Sequence, residues 1–355
     1  MPARAGSYLP AWLAGIWIRA APGVGLPQGK LTRGGGRGQA VAYEISDSIR
    51  GSIWGLAAGD ALGATLEFAS RTEVVRKYGQ HTDITGGGWM NLPPGAWTDD
   101  TELMLAMALG IAEDPGSPIP GVAKRLVQWY RSNPPDIGHL TRSALSLYLA
   151  TGCWKKAGSL TEERFRPRAA GNGGLMRISP VGLAYHRQAA LRDRWAAELT
   201  AMTHADQLCQ FLSVVYCAMV GCCVGGMPDR KAAYRAALAH GWRQHPGVEP
   251  QVRARLEAVD GLTYDELRGT GYVLDCFVAS VWCFLHQPSL EDAILAAVNL
   301  GDDADTTGAV TGGLAGAYYG YGALPARWVE RLTSGERLDE AAQGILRVAM
   351  GYTGA

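Results

Sequence analysis

The chain has 355 residues, 47% of them hydrophobic, with 33 lysines and arginines against 33 aspartates and glutamates. That balance leaves no global field to draw it to nucleic acid or to an anionic membrane surface, while the apolar content is ample for a real core. Seven cysteines, an odd number with no Cys-x-x-Cys pair, read as free thiols behaving as small hydrophobes, which suits a reducing cytoplasm.

Residues 1–40 hold Arg4, Arg19, Lys30, Arg33 and Arg37, no acid, and the run Gly34-Gly35-Gly36. They are expected to form a flexible, mildly basic extension, open to a protein partner. The apolar patch at 11–18 lacks the marks of a signal segment: Pro10 precedes it, Arg19 ends it and no clear small-residue cleavage site follows. From 41 the pattern changes, with Ile45, Ile49, Ile53 and Leu56 at helical spacing and Asp47 or Ser48 placed to start the helix. Gly51, Gly55, Gly59 and Gly63 run alongside, four apart, and the same stripe recurs at Gly308, Gly312, Gly316 and Gly320. A glycine inside a helix costs about 1 kcal/mol relative to alanine, so eight of them call for a reason such as close backbone approach. The expectation is two helices packed tightly beside the functional centre.

Residues 86–97, rich in glycine and proline, form a loop. Helical patterns follow at 103–112, 122–130 and 143–149, then a glycine-rich turn at 171–182 and a helix at 191–202. Residues 207–228 carry no charge and are long enough for a membrane span, yet Gln207, Gln210, Ser213, Tyr216 and three glycines favour a central helix of an all-α domain. Helices are expected again at 230–242, 250–259, 271–284 and 289–299, the last capped by Ser289 with Glu291 and Asp292 in its first turn. With strands hard to find and no linker, residues 41–350 read as a single compact, orthogonally packed all-α domain.

Two acidic knots carry the chemistry: Thr98-Asp99-Asp100-Thr101-Glu102, and Asp302-Asp303-Ala304-Asp305-Thr306-Thr307. Each opens into an apolar helical run, and a helix cap needs one acceptor where these supply several. Carboxylate and hydroxyl oxygens are hard ligands suited to Mg2+, Mn2+ or Ca2+, so the knots are expected to meet around metal, Mg2+ by default. An EF-hand reading of 303–314 fails because Leu314 stands where a bidentate glutamate is required. Asp303-x-Asp305-x-Thr307 also has the form of a haloacid-dehalogenase-type nucleophile motif, but that motif follows a buried strand and this one follows a helix.

Gly59-Asp60-Ala61-Leu62-Gly63 with Glu67, Trp97-Thr98-Asp99-Asp100-Thr101, Gly171-Asn172-Gly173-Gly174-Leu175-Met176-Arg177, Thr203-His204-Ala205 and Gly301-Asp302-Asp303-Ala304-Asp305-Thr306 together resemble the ADP-ribosylglycohydrolase family, in the family's order. The resemblance implies an all-α hydrolase with a pair of Mg2+ ions, Mn2+ being an alternative. Such an enzyme removes ADP-ribose from a mono-ADP-ribosylated protein side chain, most often arginine. It implies Thr98, Asp99 and Asp100 as one metal-ligand group and Asp303, Asp305 and Thr306 as the other, with Glu67 and Asp303 catalytic. Asn172, Gly173, Gly174 and Met176 then correspond to the loop around diphosphate and ribose, and His204 to a histidine touching the ligand. Many relatives have glycine where this chain has Asp302, which leaves that carboxylate's part in the ligand set open.

Chemistry agrees. A glycosidic carbon loses its leaving group through an oxocarbenium-like state, which calls for a positioned water, a carboxylate to take its proton and groups holding the ribose hydroxyls. Two other readings are weighed: an ADP-ribose-binding or immunity module acting by contact through residues 1–40, and a phosphatase using Asp303 as nucleophile on a parallel sheet.

Overall fold

A computed structural model describes residues 37–351, so the expected extension at 1–40 lies almost wholly outside the described residues. Within them the chain forms sixteen α-helices and no strand, only isolated bridges. In chain order these are α1 (Arg37–Gly63), α2 (Arg71–Tyr78), α3 (Asp99–Glu113), α4 (Pro118–Arg131), α5 (His139–Thr151), α6 (Trp154–Phe165), α7 (Ser179–Ala184) and α8 (Ala189–Ala201). There follow α9 (Gln207–Val224), α10 (Arg230–Gln244), α11 (Pro250–Glu257), α12 (Val273–His286), α13 (Leu290–Val298), α14 (Ala304–Tyr319), α15 (Ala326–Arg331) and α16 (Gly335–Gly351).

The two glycine stripes are the axis of the molecule. A Cβ at Gly51, Gly55, Gly59 or Gly63 would lie 2.4, 2.4, 2.1 or 2.3 Å from the carbonyl oxygens of Gly316, Gly312, Gly308 and Ala304 respectively. Helices α1 and α14 therefore run antiparallel with backbone against backbone, a separation that only residues without Cβ permit. Gly320 acts differently, since at φ 80° it ends α14 and donates its N–H to Gly316 O. Two hydroxyls stitch α14 to its neighbours, Ser52 to Gly313 O at 2.7 Å and Tyr216 to Val310 O at 2.9 Å.

Tyr216 lies on α9, the uncharged helix long enough to cross a membrane. It is instead a core helix, 78% of its 18 residues buried inside the protein. The absence of a parallel sheet among the described residues removes the structural basis for the phosphatase reading.

The helices differ from expectation at several ends. Helix α1 already runs at Arg37, ahead of Asp47 and Ser48, and ahead of the boundary expected at 41. The turn expected over 171–182 closes early, because a 3-10 turn at Asn172–Gly174 is followed by α7, with Pro180 within its first turn. Helix α12 starts at Val273, two residues after the expected start, leaving Tyr272 extended and bridged to Gly171. The cap at Ser289 is as expected, its side chain accepting from Asp292 N.

Candidate active site

Both knots sit at helix N-termini at the same end of the α1–α14 pair. Asp60, buried in the last turns of α1, reaches across to the start of α3. Its carboxylate accepts from Thr98 N at 2.9 Å, from Thr101 N at 2.9 Å and from the Thr101 hydroxyl at 2.6 Å. The Thr98 hydroxyl accepts from Asp100 N at 3.3 Å. The free amides of α3 are thus satisfied by Asp60 and Thr98, which leaves the carboxylates of Asp99 and Asp100 surplus to capping.

The second knot closes on the first. The Thr306 hydroxyl donates to Asp100 Oδ2 at 3.3 Å, across a separation of 206 positions, and the Thr98 hydroxyl reaches the same oxygen at 3.3 Å. Asp303 is fixed from both sides: its N–H donates to Gly269 O at 2.7 Å, and Asn172 Nδ2 donates to its Oδ2 at 2.8 Å. The remaining oxygens of Asp100 and Asp305, both Oδ1, are buried with no hydrogen-bond partner. Carboxylate oxygens of Glu67, Asp136 and Asp305 gather within 4.8 Å of one another.

Asp136 is a member of the cluster that the sequence does not reveal. It stands alone after Asn133-Pro134-Pro135 in the loop between α4 and α5, where neither charge pattern nor periodicity marks it. Asp60 is visible as part of a motif, but its role emerges only from the fold.

Burial and mutual repulsion disfavour the charged forms throughout this cluster. Burial lifts Asp60 to about 6. Glu67 rises to about 8 through burial, with Asp136, Asp303 and Asp60 adding repulsion. Asp99, Asp100 and Asp305 are pushed well above the carboxylate range by burial and by neighbouring acids, and Asp136 is raised mainly by burial. Arg177 faces the cluster from beneath: burial lowers it to about 10 against the pull of Asp99, so it stays charged at neutral pH. Arg177 and Arg142, the latter acting on Asp136, do not balance so many acids. Buried, partnerless carboxylate oxygens in an all-oxygen donor set fit hard divalent cations.

The glycine loop borders the same space. Asn172 N donates to Gly271 O at 3.1 Å and Met176 N to Asn172 O at 3.0 Å. His204 lies underneath: a Cβ on Gly173 would come within 2.8 Å of its Cε1, and one on Gly174 within 3.4 Å of its Cβ. Burial drives His204 down to about 3, keeping it neutral. Arg177 Nη2 donates to the Thr203 hydroxyl at 2.7 Å, and that hydroxyl meets His204 Nδ1 at 2.8 Å. Met176 is 4% exposed and belongs to the core. Asn172, Gly173 and Gly174 therefore form the loop itself, while Met176 and His204 hold it from below. Asp302 is exposed, and at φ 54° it occupies the left-handed region that glycine enters freely.

Residues 42–353 match the family model described as ADP-ribosylglycohydrolase. The chain belongs to the ADP-ribosylglycohydrolase family. ADP-ribosylarginine hydrolase Tri1 of Serratia proteamaculans is 33% identical over 319 residues, covering 86% of this chain and 81% of that protein. ADP-ribosyl-[dinitrogen reductase] glycohydrolase of Rhodospirillum rubrum is 31% identical over 289 residues, 81% of this chain and 91% of the relative. A solved structure titled ADP-ribosylglycohydrolase-related protein complex superposes with a TM-score of 0.72 at 33% identity, covering 87% of this chain and all of that one. In this ADP-ribosylglycohydrolase the acidic knots, the glycine loop and Glu67 converge on one rim, the arrangement that a hydrolase acting on a diphosphate-bearing glycoside requires.

Proposed function

We propose that this ADP-ribosylglycohydrolase releases ADP-ribose from ADP-ribosylated arginine on a protein. The contact between Thr306 and Asp100, with partnerless oxygens on Asp100 and Asp305 beside it, carries the reading. It joins two ligand groups into one acidic centre at the glycine loop, and the two similar hydrolases above act on ADP-ribosylarginine and on ADP-ribosylated dinitrogen reductase.

Thr98, Asp99, Asp100, Asp303, Asp305 and Thr306 would hold two Mg2+ ions, or Mn2+, with Asp136 as an added carboxylate. That is more donors than one octahedral Mg2+ accepts while keeping waters. Bound there, the ions supply positive charge to the ribose hydroxyls and lower the pKa of a water. The protein's own groups do the rest. The amides of Gly173 and Gly174 approach the diphosphate unobstructed by side chains. Asn172 holds Asp303 toward the ribose. Glu67 takes the proton of the attacking water as the bond between the anomeric carbon and the guanidine nitrogen breaks; oxygen replaces nitrogen on that carbon, the electron pair leaves with the guanidine, and Glu67 returns the proton to it, giving guanidinium. Residues 1–40 remain a candidate contact for a protein partner, to be tested by deleting them. All seven cysteines are free, which accords with a cytoplasmic location.

The test is a panel of arginine-, serine- and nucleobase-linked ADP-ribose, incubated with and without Mg2+. Free ADP-ribose is expected from the arginine linkage only with the ion. Release from serine alone, or undiminished release in a chelator, would overturn the assignment.

A further inference from the structure

Phe68 and Trp89 are large apolar side chains left in solvent, 69% and 52% exposed, at the mouth of the acidic centre. Their rings meet at 5.5 Å and 49°, and Trp89 Nε1 donates to Glu67 Oε2 at 2.5 Å. Neither is held by core packing; both are held by backbone.

Phe68 has φ 63°, a left-handed conformation that is strained for an aromatic residue. Two hydrogen bonds impose it, Phe68 N to Asp302 O and Asp302 N to Ala69 O, each 2.7 Å. A Cβ on Gly301 would lie 2.4 Å from Ala69 O, so the two turns are pressed together. Trp89 follows Gly86, Gly87 and Gly88, all at positive φ, and a Cβ on Gly88 would stand 2.2 Å from Ala64 O. The fold thus spends backbone strain at Phe68 and three glycine-only turn positions before Trp89 to present an exposed aromatic pair beside Glu67.

The glycine loop joins the acidic centre through Asn172 and Asp303, and the aromatic pair joins it through Glu67. ADP-ribose on the loop side therefore directs its departing group past Phe68 and Trp89. The nearby basic side chain, Arg71, is engaged by Asp265 at 3.0 Å and stacks on Tyr264. The wall presents two π faces, the Glu67 carboxylate and the exposed Asp302, with Asp136 beside Glu67 and drawing on Arg142, a surface suited to a planar cation.

We propose that Phe68 and Trp89 receive the guanidinium of the target arginine through cation–π contact, and so set the preference for arginine-linked ADP-ribose. The proposal rests on the function assigned above and supplies its leaving-group subsite.

The test uses full-length, Mg2+-supplied protein saturated with ADP-ribose, titrated calorimetrically with n-butylguanidine or its neutral analogue n-butylurea. Phe68→Leu keeps an apolar side chain on the same turn and removes the π face. It is expected to weaken butylguanidine binding about five-fold, to leave ADP-ribose binding within about two-fold, and to leave the urea unaffected. Phe68→Tyr is expected to bind butylguanidine as the natural protein does. On an ADP-ribosylarginine peptide, Phe68→Leu should raise KM by a similar factor with little change in kcat. Absence of butylguanidine binding to the natural protein, equal binding by Phe68→Leu, or an equal loss of ADP-ribose affinity overturns the proposal. Phe68-dependent guanidine binding in a protein that releases no ADP-ribose from arginine sinks the functional reading and leaves the subsite standing. Release with no Phe68 dependence does the reverse.

Discussion

Helices α1 and α14 share one contact line with two very different ends. Along the glycine seam backbone meets backbone and the hydroxyls of Ser52 and Tyr216 take up carbonyls of α14. At Gly63, where a Cβ would lie 2.4 Å from the Asp305 Cα, α14 delivers the Asp305 carboxylate, one oxygen without a partner, into a buried cluster that α1 joins through Asp60. The seam contributes stability and the acidic end draws on it. A rigid, fully satisfied contact lets an unsatisfied site persist beside it, because strain and repulsion at a functional site must be overdetermined by the surroundings.

That contrast can be broken from the acidic end first. Asp305→Asn is expected to lower turnover on ADP-ribosylarginine by about a thousand-fold through loss of a cation ligand. In a chelator near pH 8 the same variant should melt higher than the natural protein, since one member of a repelling cluster is neutralised. Lower melting would show that the carboxylates are not mutually destabilising.

The seam should respond oppositely. In Gly59→Ala the new Cβ would sit 2.1 Å from Gly308 O, which is backbone and has no room to yield. A loss of about 3 kcal/mol is expected by chemical denaturation, with activity per folded molecule retained if the protein refolds. Gly247→Ala, where nothing lies within 4 Å, should stay within about 0.5 kcal/mol; a comparable loss at both positions would refute the close-approach account.

A smaller effect sharpens the comparison by pH. Glu67 rises from an ordinary 4.5 to about 8 in the folded protein. Between those values the unfolded chain binds fewer protons than the folded one, so stability falls as pH rises. In a chelator the Tm should drop by a few degrees from pH 5 to 8, and Mg2+ should restore it, because the ion binds the folded state and replaces the protons. A Tm in chelator that holds level or climbs over this range would contradict the electrostatics of the site.

Much of this is legible in the sequence, for identifiable reasons. The knots stand out because charge density next to an apolar run is local, and the glycine stripes because period four is local too. Asp136 is invisible there since its partners Glu67 and Asp305 come from other parts of the chain. Asp60 is visible as a residue, but its capping of α3 is a tertiary fact. Helix α2 gives no apolar period because only Val74 of its eight residues is buried, although Ser70 and Glu73 spell the capping box that starts it. Helix α6 buries only Ala157, Gly158 and Thr161, too small to give such a period either. Helix α16, absent from the expected elements, does carry a signal that could have found it: Leu338, Ala341, Ala342, Ile345 and Val348 keep helical spacing.

Asp60 has one more consequence. Because the residue that pins the beginning of α3 belongs to the same helix whose flat face rests on α14, both acidic knots are gauged from a single reference edge, so the distance between them is set by backbone contacts of α1.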